Sequence, residues 1–97
     1  MTIEKNIQGG IEVLTLSGWL DTQSCPQLEM EISLLGKNIC TLVLDCSGLE
    51  YISSGGLRLI VAAYKQMKGA LTLRNVNENI MTLLKMTGLE PYLHFEP

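Results

Sequence analysis

Two short stretches of β-type residues, Thr2 to Ile7 and Ile11 to Ser17, open the chain on either side of Gly9-Gly10. A glycine pair supplies the positive φ angles of a tight turn, so the chain is predicted to begin with a hairpin. After Gly18 to Thr22, Ser24 stands three residues before Gln27, the spacing of a capping box, and Pro26 falls where a first helical turn tolerates a missing N–H. Leu28, Ile32 and Leu35 then recur along one helical face, and Gly36 offers a stop. Thr41 to Cys46 is a nearly continuous apolar run, the pattern of a strand covered on both faces, with Asp45 near its C-terminal end.

Ser47 to Ile52 reads as the loop after that strand, and Ser53-Ser54 suit the start of a helix because serine oxygens accept bonds from its free N–H groups. In that helix Leu57, Ile60, Val61 and Tyr64 form the stripe assigned to the core, while Leu59, Ala62 and Ala63 fall on the other side near Arg58; Gly69 ends it. Ala70 to Asn75 alternates as a strand does. Asn77 is placed to cap a third helix carrying Ile80, Leu83 and Leu84, which Gly88 closes. Tyr92 to Glu96, between Pro91 and Pro97, is either a last short edge strand or a docked tail. Strands alternating with helices predict an α/β fold with a parallel or mixed sheet under helical cover.

Ninety-seven residues support a single hydrophobic core and hence one domain, residues 1–97. A globule of that length has a radius of gyration of about 12–13 Å. Seven basic against ten acidic residues, a net charge of −3, argue against a surface built to neutralise phosphate backbones, which removes nucleic acid as a partner. No apolar run approaches the roughly 18 residues that span a bilayer, and Met1 to Gln8 lack the basic-then-apolar order of a signal peptide. A cytoplasmic protein with no membrane partner is expected. Cys25, Cys40 and Cys46 are odd in number and show no CxxC spacing, so buried reduced thiols are expected rather than disulfides or a metal site. His94 is the only imidazole. No cofactor is implied.

Ligands and partners of open α/β sheets meet the carboxyl ends of strands, where loops lead into helix N-termini. Here that region is Asp45 to Leu57. Ser53-Ser54-Gly55-Gly56 presents hydroxyls and unobstructed N–H groups at the positive end of a helix dipole, where negative charge is stabilised; the same residues also serve as a plain cap. The lysine of a GxxxxGK[ST] loop is absent, and Ser54 lacks the GxSxG elbow of an esterase, so no catalytic residue is assigned and no enzyme is expected. Leu59 and Ala62 beside Arg58 form a small patch that is either a partner surface or a second packed side of the helix. Trp19 is expected as a strand-end core anchor and Asp21 as a turn acceptor.

Gly18-Trp19-Leu20-Asp21, Leu42 to Lys65 and Leu83 to Phe95 together resemble the STAS family, specifically stand-alone bacterial anti-sigma factor antagonists, over nearly the whole chain. The resemblance implies a sheet of about four strands with helices packed mainly on one face, and a part in partner switching as a substrate rather than an enzyme. In such a scheme the unphosphorylated antagonist binds an anti-sigma factor that is also a serine kinase, freeing a sigma factor. Phosphorylation of one serine ends the binding, and a PP2C-type phosphatase restores it. The implied acceptor is Ser54. The family's preceding aspartate is Ser53 here, which makes Ser53 an alternative acceptor. Asp21 and Asp45 match acidic positions beside the acceptor, and the implied partner surface comprises them with Ser53, Ser54, Gly55, Gly56, Arg58, Leu59 and Ala62. A monomer is expected. The alternatives are a constitutive STAS subunit of a transporter or signalling assembly, and a small-ligand sensor using Asp21, Asp45 and Ser54.

Overall fold

In the computed structural model, which describes residues 1–97, Gly9 takes a φ of 61° at the first turn. There β1 (Thr2–Gln8) folds back antiparallel on β2 (Ile11–Leu20). The chain continues through α1 (Cys25–Ser33), β3 (Thr41–Ile52), α2 (Ser54–Gln66), β4 (Leu71–Arg74), α3 (Glu78–Met86), a 3-10 turn over Glu90–Tyr92 and β5 (His94–Glu96).

The strands lie in the sheet in their sequence order, β1-β2-β3-β4-β5, and every pairing after the first is parallel. Parallel neighbours joined through a helix cross over right-handed. Successive crossovers that always step to the next position therefore lay α1, α2 and α3 on the same face. Leu14, Leu16 and Leu20 of β2, Leu42 and Leu44 of β3, and Leu71 and Leu73 of β4 meet helix residues such as Leu28, Ile60, Ile80 and Leu84 in one buried cluster. The odd positions of β2, including Val13 and Thr15, line the other face, where a hollow of about 410 Å³ is bounded only by β1, β2 and Arg74. The Cα radius of gyration is 12.1 Å, inside the range expected from length.

Several expectations need correction. Ser47 to Ile52 is not a loop but the second half of β3, which keeps pairing with Ser17 to Leu20 through two register shifts. Gly48 permits this, because a Cβ there would collide with the Ser17 side chain. Ser24 makes no capping bond, and α1 stops at Ser33 before Gly36 is reached. Along α2 the buried residues are Gly56, Leu59, Ile60 and Ala63, so the core face is rotated from the predicted stripe and Leu57, Val61 and Tyr64 are only half-buried. The sheet has five strands, not about four, because His94–Glu96 pairs with Thr72–Arg74. All three thiols are free, but only Cys46 is buried; Cys25 is half-buried and Cys40 exposed.

Candidate functional site

The carboxyl ends of β2 and β3 run out side by side at Leu20 and Ile52, and the Ser53 N–H is held by the Leu20 carbonyl at 2.8 Å. That bond turns the chain into α2. Ser53 is the N-cap, its hydroxyl accepting from the Gly56 N–H at 3.2 Å. Capping by Ser53 leaves Ser54 as the first helical residue, exposed, with its hydroxyl taking no part in the cap. The first N–H groups of a helix have no partner within it and carry the positive end of its dipole.

Gly55 and Gly56 play different parts. A Cβ on Gly56 would stand 2.9 Å from Leu20 Cγ and Ile52 Cγ2 and 3.0 Å from the Leu20 carbonyl oxygen, so only glycine lets α2 start this close to the strand ends. A Cβ on Gly55 would meet nothing nearer than Ser53 Oγ at 3.7 Å. Gly55 is thus free to be part of the surface, whereas Gly56 is buried beneath it.

Asp21 closes the turn between β2 and α1. Its Oδ1 accepts from the N–H groups of Ser24 at 3.0 Å and Gln23 at 3.1 Å, while the Ser24 hydroxyl accepts from the Asp21 N–H at 2.9 Å. The Ser24 N–H, helped by its hydroxyl and by Gln23, holds the Asp21 carboxyl below its ordinary value. Asp21 is therefore the turn acceptor its position implied, and it stands on the same rim as Ser53.

Two clefts flank Ser54. One, of about 350 Å³, lies between Cys25, Pro26 and Glu29 of α1 and Gly55, Arg58 and Ala62 of α2. The other, of about 250 Å³, is walled by Ser54, Leu57, Arg58, Val61, Thr87 and Leu89. Arg58 borders both and is exposed. Burial pushes the Cys25 thiol up, with the charges of Asp21 and Glu29 in the same direction, so it stays protonated rather than reactive.

Of the residues singled out from sequence, Asp21, Ser53, Ser54, Gly55, Arg58 and Ala62 come together at this rim. Leu59 lines the floor of the first cleft but is only 9% exposed and belongs to the core cluster. Asp45 does not join them. It points to the uncovered sheet face, paired with Thr15 five β2 positions before Leu20, and so lies roughly 16 Å back from the rim at a strand's rise per residue. There its Oδ2 pairs with Arg74 Nη2 at 3.1 Å and its Oδ1 accepts from Asn75 Nδ2 at 3.2 Å and the Ser47 N–H at 3.0 Å. Trp19, expected in the core, is 57% exposed instead, beside Tyr51 at 42%. The signal for it was available: Trp19 is an odd position of a strand whose even positions are core.

A family model for the STAS domain matches residues 2–97. The chain is 30% identical over 94 residues to the anti-sigma F factor antagonist of Paenibacillus polymyxa, covering 92% of this chain and 80% of that protein. Among solved structures, the anti-sigma factor antagonist SpoIIAA in its unphosphorylated form superposes with a TM-score of 0.84 at 18% identity, over 99% of this chain and 89% of that one. The phosphorylated form of the Bacillus cell fate determinant SpoIIAA gives 0.75 at 18% identity, over 99% and 92%. At such identities the structural likeness is one of fold.

Proposed function

Because this chain belongs to the STAS domain family, we propose that it is an anti-sigma factor antagonist whose binding is switched at Ser54. The observation that carries this reading is the division of labour at the start of α2: Ser53 caps the helix, and Ser54 offers a free, exposed hydroxyl one residue on. A relative named as an anti-sigma F factor antagonist supports the choice of partner. On this reading the partner is an anti-sigma factor that is also a serine kinase. A PP2C-type phosphatase resets the mark, and the chain itself is a substrate rather than a catalyst. It acts as a monomer in the cytoplasm, with residues 1–97 as one domain.

A phosphate adds roughly −1.5 to −2 charges. At Ser54 the helix dipole and unpaired N–H groups tolerate that charge, so the fold persists. The penalty falls on the partner, which must desolvate a dianion in the interface at a cost of about 3–4 kcal/mol, a few hundredfold in affinity. Ser54→Ala retains the fold and tight binding. Ser54→Asp binds at least tenfold more weakly by calorimetry, since one carboxylate mimics the phosphate only in part. Equal affinity of Ser54→Asp and wild type, or a kinase-borne phosphate mapped by mass spectrometry anywhere but Ser54 or Ser53, contradicts the reading.

A further inference from the structure

Trp19 and Tyr51 are directly opposed in the β2–β3 pairing and their rings meet with centroids 5.6 Å apart at 52°. Both lie on the sheet face that no helix covers, 57% and 42% exposed, so about half of each side chain remains open to a partner. The second register shift of β3 leaves Glu50 between the pairs Gly18–Leu49 and Trp19–Tyr51, an exposed carboxylate next to Tyr51. The two ion pairs of the molecule, Lys5–Glu31 and Asp45–Arg74, use other residues, so Glu50 has no cation of its own.

From this we infer that the Trp19–Tyr51 pair with Glu50 is the docking point for an arginine or lysine side chain of the protein partner. Aromatic faces attract cations through their quadrupole, and a neighbouring carboxylate without a counter-charge adds to the attraction. Tryptophan and tyrosine are also the residue types that most often dominate an interface when their rings are desolvated. The pair is continuous with the switch surface, because Leu20, the next residue after Trp19, holds the Ser53 N–H. The docking surface thus wraps from the start of α2 over the carboxyl rim onto the open face. This inference rests on the partner-switching reading. A net charge of −3 and the adjacent Glu50 oppose the other common use of exposed aromatics, insertion at an anionic membrane.

Trp19 is the only tryptophan, so its emission reports the site without a label. The wild-type chain is titrated with the purified anti-sigma factor of its own genome, following emission and acrylamide quenching, alongside Trp19→Ala, Trp19→Phe, Glu50→Gln and Ser54→Asp. The expected result is a shifted, less quenchable emission in the complex. Affinity falls ten- to a hundredfold in Trp19→Ala, less in Trp19→Phe and a few-fold in Glu50→Gln, with unfolding transitions unchanged. Wild-type affinity in Trp19→Ala while Ser54→Asp is weakened overturns the docking site and leaves the switch intact. Loss in Trp19→Ala with none in Ser54→Asp overturns the switch alone. No binding by wild type refutes both, and an emission shift with phosphatidylglycerol vesicles but not with the anti-sigma factor assigns the pair to lipid and overturns the proposal.

Discussion

Gly56 shows how one missing methyl group fixes the position of the candidate site. Alanine is favoured over glycine within a helix by up to about 1 kcal/mol. Here a Cβ would sit 2.9–3.0 Å from Leu20 and Ile52, one of the contacts being a carbonyl oxygen that cannot rotate away. Overpacking of this kind costs about 1–3 kcal/mol, so the clash outweighs the propensity. Gly56→Ala should lower the thermal midpoint by roughly 5–10 °C, whereas Gly55→Ala, with nothing closer than 3.7 Å, should leave it unchanged or slightly higher. Equal midpoints for the two variants would show that β2 and β3 give way at their ends. The two glycines are indistinguishable in the sequence, because what separates them is the approach of a strand that lies more than thirty residues earlier.

Two of the three predicted caps were legible at the scale of the element because they are local, whereas the Ser24 hydroxyl is taken up by Asp21 and the Trp19 carbonyl. Ser53 to Gly56 and Asn77 to Ile80 each close within three residues, and both bonds are present. The face of α2 was not legible, since Leu57, Val61 and Tyr64 keep helical spacing as well as Gly56, Ile60 and Ala63 do. Small residues won the inner face by letting the helix approach the sheet, which a hydrophobicity pattern does not record. Nor was the length of β3, whose Ser47-Gly48 looks like a turn yet accommodates a bulge. That extension carries Asp45 away from the serines.

Charge placement within these elements gives opposite pH responses. Burial pushes the Asp45 carboxyl up, but bonds from the Ser47 N–H, Asn75 and Arg74 outweigh it and leave the group below its ordinary value. Its contribution is present above the ordinary carboxylate range and is lost as pH falls through the native value. Glu12, on the helix-covered side of β2 and 3% exposed, is pushed above 4.5 by burial, with Lys5 opposing and Glu31 reinforcing. Folding there favours the protonated form, so stability is lost as pH rises through its native value. Glu12→Gln should therefore unfold at higher denaturant than wild type at pH 7, with the gap closing toward pH 4.5. A constant gap would mean that the substitution acts through packing and not through ionisation.

For the whole molecule, a parallel sheet covered on one side only is uncommon, because parallel strands are generally buried on both faces. The open face is made tolerable by polar residues: Thr15, Asp45, Thr72 and Arg74 occupy it, with Asp45 and Arg74 paired across β3 and β4. Protection against amide exchange should accordingly be greatest in the middle of β2 and β3. It should be least in β5, a three-residue edge strand, and in β1, whose residues are nearly all exposed. Exchange from β3 as fast as from β5 would contradict this.

The strand order β1-β2-β3-β4-β5 also bears on how the chain is made. After the opening hairpin each strand is laid against the edge left by the one before, so no strand has to be inserted between two neighbours already in place. During synthesis the emerging chain can extend its sheet in the sequence in which the ribosome releases it, with β2 and β3, whose ends form the rim on which Ser54 stands, released ahead of β4 and β5.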